Sequence, residues 1–225
     1  MNVSVIIPVY PPHFKYLKTC LLHIMNSTVL PSEIIIAASE INNVDYLYND
    51  FENICSNVKL IIFGTVDKCY SGINRNRGFT KCSNDIIIFI DADDIIHPQK
   101  IEIVQKCFKL FPDCKQILHQ YDISEKILKL VFNTDELPIF KYQGNFTKTD
   151  TENKMKNITR GHVTIHRSVF NKIIYGNLIQ GQDSVFTKKV HNIFNESYFL
   201  PLRLIIYNKT GGIELKKDHY FNNKY

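Results

Sequence analysis

Four short stretches that are wholly or almost wholly apolar punctuate the first 90 positions: Val3–Val9 (VSVIIPV), Glu33–Ala38 (EIIIAA), Val58–Phe63 (VKLIIF) and Ile86–Ile90 (IIIFI). Each is too short for a free-standing helix and rich in β-branched residues, so each predicts a strand buried on both faces. Between them the apolar residues recur at helical spacing. Phe14, Leu17, Leu21, Leu22, Ile24 and Met25 predict a helix over Phe14–Asn26, closed by Pro31, and Val44–Cys55 and Gly72–Lys81 predict two more. Alternation of β and α with continuously apolar strands predicts an α/β fold: a Rossmann-like, mostly parallel sheet flanked by helices.

After Pro98 the pattern loosens. A helix is expected over Lys100–Phe111, strand-like pieces at Gln116–Tyr121 and Lys126–Phe132, and a loop across the polar stretch Thr147–Thr159. Arg160–His166 alternates like a strand, Gly181–Phe194 has helical spacing, Phe199–Tyr207 reads as a strand, and Leu215–Tyr225 is a polar, basic tail. No repeat or long linker interrupts the chain. Its 225 residues predict a single domain with a regular half (1–98) and a less regular half (99–225).

Composition narrows the class. With 44% hydrophobic and 22% charged residues the chain is an ordinary globular protein, and disorder is excluded as the default. The net charge of +5 suits an anionic ligand such as a nucleotide diphosphate, while the lack of an arginine-rich block or basic helix argues against nucleic acid. Six scattered cysteines without CxxC spacing read as reduced core thiols. The N-terminus enters a strand directly, and no apolar stretch of about 20 residues follows, so a cytoplasmic protein without a transmembrane segment is expected.

The candidate chemistry begins where the fourth strand ends. Asp91, Asp93 and Asp94 follow Ile90 almost without spacing, and carboxylates this close repel one another unless a cation or hydrogen bonds hold them. In open α/β sheets, ligands bind at the carboxyl ends of strands, so position and chemistry agree. An EF-hand is excluded, because that register would put Ile95 at a ligand position and Ile96 where the loop needs glycine. Capping of the helix near Pro98 would account for one aspartate only. A strand-terminal Asp-x-Asp is better explained by a divalent metal that carries a diphosphate.

The neighbouring motifs carry a resemblance. SVIIPVY (Ser4–Tyr10), EIII (Glu33–Ile36), NRNRG (Asn74–Gly78), IIIFIDADD (Ile86–Asp94), HRSVF (His166–Phe170) and GQDSVF (Gly181–Phe186) occur in the order and spacing of the family 2 glycosyltransferases, which the sequence resembles over most of its length. The resemblance implies a GT-A fold with an acceptor-binding second half, and inverting transfer of a sugar from a nucleotide-sugar, with UDP the expected nucleotide. It implies Mn2+ or Mg2+ held by Asp91 and Asp93, a nucleotide site at Pro8, Val9, Tyr10, Arg75 and Asp91, and Asp183 as catalytic base. Three positions depart from the family pattern. Ala38 and Ser39 stand where family members carry acidic residues, leaving Ser39 or Glu40 to meet the base, and Gln182 replaces a glutamate that often meets the acceptor or orients a neighbour. His219 or Lys209 would reach the diphosphate if the tail folds back.

The resulting reading is a metal-dependent hexosyltransferase-like enzyme whose acceptor is a glycan, a lipid-linked sugar or a protein. Two rivals remain. The departures at Ala38, Ser39 and Gln182 motivate a non-catalytic nucleotide-sugar-binding module. A sugar nucleotidylyltransferase would share the sheet and the metal but normally opens with a glycine-rich phosphate loop, which Pro8 to Pro12 lacks.

Overall fold

The computed structural model describes residues 1–142 and 158–208. Four parallel strands form one half of the sheet: β1 (Val3–Val9), β2 (Glu33–Ala38), β3 (Lys59–Phe63) and β4 (Ile86–Phe89). The remaining strands are β5 (Ile95–Ile96), β6 (Gln116–Asp122), β7 (Phe140–Lys141), β8 (Ile158–His166) and β9 (Ser197–Ile206). They complete one sheet of order β3-β2-β1-β4-β8-β6-β9-β5, with β7 pairing on β9. Strand β8 runs antiparallel to both β4 and β6, whereas β6 and β9 are parallel. The regular first half and the mixed second half thus share one sheet, joined where Ile87 faces Ile165.

Helices α1 (Phe14–Met25), α2 (Asp45–Phe51), α3 (Ser71–Phe79), α4 (Lys100–Leu110) and α5 (Gln182–Phe194) cover it. Successive strand residues point to opposite faces, so the apolar runs supply two cores. Val5, Ile7, Ile34, Ile36, Ile88 and Ile90 share one with Leu17, Leu21 and Ile24 of α1 and Ile101, Val104 and Phe108 of α4. Ile6, Ile35, Ile87 and Phe89 face the other way, into a cluster with Val163, Phe170, Tyr175 and Phe186. Helix α3 lies on this second face, close against β1, because Gly78 has no Cβ; one built there would collide with Cγ2 of Ile6. That approach brings Arg75, one turn earlier, down to the end of the sheet.

The chain runs from β1 outward through β2 to β3, then returns to place β4 on the other side of β1. A crevice therefore opens beyond the carboxyl ends of β1 and β4, where Tyr10 and Asp91 lie. The opposite end of the sheet is tied by Glu33, buried at 1% exposure. It accepts hydrogen bonds from Ser4 Oγ (2.6 Å), Ser83 N (2.6 Å) and Ser83 Oγ (2.8 Å), with Lys59 Nζ 3.5 Å away.

Several expectations need correction. Lys126–Phe132 is not a strand: Glu125–Lys129 forms a 3-10 turn, and Gln99 occupies both backbone groups of Phe132 in place of a pairing strand (2.8 and 3.0 Å). Helix α2 stops at Phe51, short of Cys55. No aspartate caps α4, whose N-cap is Gln99 without a side-chain bond. All six cysteines are free, five of them buried. Among the described residues no helix is long and apolar enough to cross a membrane. Lys209, His219, the tail from Leu215 and most of Thr147–Thr159 lie outside the described residues; positions 158 and 159 belong to β8.

Candidate active site

A cavity of about 590 Å3 opens at this crevice, a volume suited to a nucleotide-sized ligand. Its lining includes Pro8, Val9, Tyr10, Glu40, Asp91, Asp93, Asp94 and Asp183. Seven of these eight are site residues expected from the sequence; Asp94, part of the same acid cluster, was given no role there. Tyr10 follows β1 and rests on the His13 ring with centroids 4.6 Å apart. Ser39 is fully buried and does not reach the cavity. Its hydroxyl donates to the Cys69 carbonyl (3.3 Å) and accepts from Asn74 Nδ2 (3.1 Å), so it fastens the loop after β2 to α3. Glu40 does line the cavity, and its φ of 57° is a left-handed conformation that costs a non-glycine residue about 1–2 kcal/mol. Backbone bonds from Glu40 N to Asp67 O (3.2 Å) and Ile41 N to Thr65 O (2.9 Å) hold it there.

Arg75 joins the two chemical ends of the site. Its guanidinium is fully buried, donates from Nη2 to Asp91 Oδ1 (2.6 Å) and from Nη1 to Asp183 Oδ1, and sits over the Tyr175 ring at 5.3 Å. Burial opposes its charge, but Asp183 and Asp91 outweigh burial and raise its pKa. Asp183, in the first turn of α5, is pushed upward chiefly by burial, opposed by Arg75 and reinforced by Asp91. Gly161, on β8, makes room for this arrangement. A Cβ there would stand 2.9 Å from Asp91 Oδ2 and 3.6 Å from Asp183 Oδ2.

Within the acid motif the side chains separate. Asp94 N donates to Asp91 O (3.1 Å), closing a turn that turns Asp91 and Asp94 toward His162. His162 Nε2 is hydrogen-bonded to Asp94 Oδ2 (2.5 Å) and stands 3.9 Å from Asp91 Oδ2. Among the described residues this is the one group of three whose ligand atoms lie close enough, within 4.8 Å of one another, to hold a metal ion. Asp93 is not part of it; its carboxylate lies 3.9 Å from His13 Nδ1. Burial, then the neighbouring aspartates, push Asp93 up to about 7; burial raises Asp94 to about 7 against the Asn208 N–H and Lys100. Lys100 is itself fully buried with no partner for Nζ, and burial lowers it to about 7.

Two oxygen donors and one imidazole nitrogen suit a divalent first-row ion. The charge count agrees. The carboxyl groups of Asp91, Asp93, Asp94 and Asp183 outnumber the nearby cationic groups of Arg75 and Lys100, while Glu40 and Lys68 on the cavity wall offset each other.

Gln182, the residue before Asp183, lines the cavity wall, but its amide is taken up by α3. Its Oε1 accepts from Gly72 N (2.8 Å) and its Nε2 donates to Ser71 Oγ, capping the amino end of α3, which has no side-chain cap of its own. With Arg75 on Asp183, consecutive residues of α5 grip α3 at two levels. His97 and His166 have local roles, with Leu130 O and Ser168 as their partners. His162 and Lys100 escaped sequence reasoning as members of the site, because a histidine on an alternating strand and a lysine at a helix start look like neutral choices.

The family model described as Glycosyl transferase family 2 matches residues 4–178. No curated protein matches the chain. Among solved structures, residues 1–349 of S. aureus TarS in complex with UDP-GlcNAc share 15% identity at a TM-score of 0.68, covering 91% of this chain and 58% of that one. Glucosyl-3-phosphoglycerate synthase from Mycobacterium tuberculosis, in complex with Mn2+, UDP-glucose and phosphoglyceric acid, shares 15% identity at a TM-score of 0.63, covering 96% and 74%. At these identities the likeness is one of fold. The chain spans about 60% of the length of the TarS fragment.

Proposed function

We propose, for a chain that belongs to glycosyl transferase family 2, that it transfers a sugar from a UDP-sugar to an acceptor hydroxyl with inversion at the anomeric carbon. The observation that carries this reading is Arg75, which ties Asp91 at the nucleotide end of the cavity to Asp183 at the acceptor end. The acceptor hydroxyl gives its proton to Asp183. Its oxygen forms a bond to sugar C1 from the face opposite the diphosphate, and the bond from C1 to the diphosphate oxygen breaks with its electron pair on the leaving nucleotide. Burial raises the pKa of Asp183 and so strengthens it as a base, while the ion pair with Arg75 opposes burial and fixes the carboxylate in place. A divalent cation, when bound at the acid motif, offsets the charge of the leaving diphosphate.

In this reading Pro8, Val9 and Tyr10 form a wall for the base, and Asp91 faces the ribose and the metal. Glu40 takes the base contact, because Ser39 is occupied in holding its loop. A carboxylate accepts from an imino N–H, which uracil offers at N3 and cytosine does not. The acceptor is a glycan, a lipid-linked sugar or a protein.

The test is thermal unfolding with UDP, GDP, CDP and TDP, each with and without Mn2+, followed by donor turnover. A nucleotide at 100 times its Kd adds about 2.7 kcal/mol, a shift of roughly 5–10 °C for a chain of this size. UDP with metal is expected to give that shift, and Asp183→Asn to keep it while losing turnover. Binding without turnover in the wild type would favour a non-catalytic module, and pyrophosphate release from a nucleoside triphosphate a nucleotidylyltransferase.

A further inference from the structure

We infer that the surface formed by α5 and the segment leading into it docks on an anionic lipid bilayer, so that the acceptor hydroxyl is one carried on a lipid. The inference rests on the sugar-transfer reading and narrows its acceptor to one of the three classes.

The sequence gives α5 two faces. Phe186 and Val190 point into the second core, which leaves Val185, Lys188, Lys189, Asn192 and Ile193 outward, at the i, i+3, i+4, i+7, i+8 spacing of one helix face. The preceding chain lies alongside. The Tyr175 ring stacks on Phe186 with centroids 3.9 Å apart, and Lys172 Nζ stands 5.3 Å from the Phe194 ring centre. Ile173 and Tyr175 are buried, so Ile174 between them faces out, followed by Leu178 and Ile179. Five large aliphatic side chains, Ile174, Leu178, Ile179, Val185 and Ile193, are thereby left 40–61% exposed. Single exposed apolar residues are ordinary, but a group of them on one face marks a surface that something covers.

Charge decides what covers it. From position 171 to 195 the exposed charged residues are Lys172, Lys188 and Lys189, and the one acid, Asp183, lines the cavity. Lys188 and Lys189 lie between Val185 and Ile193, where their stems can run along the aliphatic surface while their ammonium groups meet lipid phosphates. Protein interfaces are depleted in lysine and enriched in aromatic residues and arginine. This stretch has no arginine, and its rings, Tyr175, Phe186 and Phe194, are turned toward the core. The face also runs into the site, since Ile179, Gln180 and Gly181 line the same cavity as Asp183. A bilayer resting there brings headgroup hydroxyls to the acceptor end.

The experiment uses the full chain and vesicles. In flotation the wild type is expected to bind vesicles containing about 30 mol% phosphatidylglycerol and not phosphatidylcholine alone, with binding weakened severalfold when salt rises from about 0.1 M to about 0.5 M. The chain has no tryptophan, so Leu178→Trp and Ile193→Trp each introduce a single reporter. Both should shift to the blue on phosphatidylglycerol vesicles and be quenched by brominated lipid. Val131→Trp, at an 88% exposed position whose neighbour Phe132 packs on the other core, should do neither. Lys188→Glu with Lys189→Glu should lower vesicle affinity about tenfold or more and leave the UDP thermal shift, taken without vesicles, unchanged. UDP release from UDP-sugars should rise on vesicles of the host cell's total lipid extract and not with its soluble glycans or proteins; the reverse overturns the acceptor class. No flotation of the wild type, quenching at 131 rather than at 178 and 193, or an affinity indifferent to the two lysines overturns the docking face. So does self-association without flotation that Ile193→Asp abolishes, which gives the face to a second copy. A UDP shift retained without flotation sinks this inference alone, whereas a wild type that shows no UDP shift loses the sugar-transfer reading and the lipid-borne acceptor with it.

Discussion

At the scale of single residues, Gly161 separates folding from chemistry. Its strand conformation suits alanine, and Gly→Ala at such a position usually stabilises by about 0.4–1 kcal/mol through the unfolded chain. The added Cβ, however, would press on Asp91 Oδ2 at 2.9 Å, a contact that must displace the carboxylate Arg75 holds. Gly161→Ala is therefore expected to leave the melting temperature unchanged or slightly raised while lowering donor turnover by about a hundredfold, the cost of misplacing a reacting constellation by about an ångström. Melting curves and turnover measured on one preparation check both halves of the prediction. The same scale shows what the sequence could not convey. Asp91, Asp183, Glu40 and the 8–10 segment were legible because motifs name them, but which of three adjacent aspartates converge depends on one backbone bond, Asp94 N to Asp91 O. No spacing rule reports that bond, and His162 enters only once the register of β8 on β4 is known.

At the scale of elements, the amino ends of α3 and α5 stabilise each other. Gln182→Ala removes the partner of Gly72 N and of the Ser71 hydroxyl and should cost about 1–3 kcal/mol, measured by chemical denaturation. Gln182→Glu should recover most of this, since either carboxylate oxygen accepts from Gly72 N–H and the Ser71 hydroxyl can turn to donate. Acceptor preference should not follow this residue, in contrast to what its place in the motif suggests. At the opposite end of the sheet, Glu33 sets a pH dependence. Burial alone would raise its carboxyl, but hydrogen bonds from Ser4 and Ser83 and the charge of Lys59 hold it below its ordinary value. A depressed folded-state value contributes stability that is complete above the unfolded pKa and is lost as pH falls through the folded one. Glu33→Gln should therefore cost about 1.5–3 kcal/mol at pH 7. The gap from wild type should narrow steadily below pH 4.5, as seen in denaturation midpoints across an acid series.

For the whole molecule, the six thiols are placed so that one of them reports on the site. Cys20, Cys55, Cys82, Cys107 and Cys114 are buried, and burial raises each of their pKa values, Cys55 to about 11 and Cys107 to about 12. Cys69 is partly exposed and lines the cavity. Brief alkylation of the native protein should modify Cys69 alone, and UDP with Mn2+ should slow it at least severalfold; mass spectrometry of the digest gives the result. The parallel half of the fold was legible almost residue by residue, since β1, β2, α1 and α4 carry unbroken periodicity. The second half was less so because its strands are completed by distant partners: β5 is two residues long and exists only against β9, and the 126–132 segment has a side chain where a strand was expected.

The placement of β8 inside the sheet also sets a schedule. Phe89 ends β4, and Ile158, which begins the neighbour β4 requires, is synthesised 69 positions later. At the usual 5–20 residues per second this takes roughly 3–14 seconds. Throughout that time the four-stranded, intensely apolar half-sheet lacks the neighbour that later covers its β4 edge. The nascent chain is thus most vulnerable midway through its own translation, when a chaperone has the most to protect.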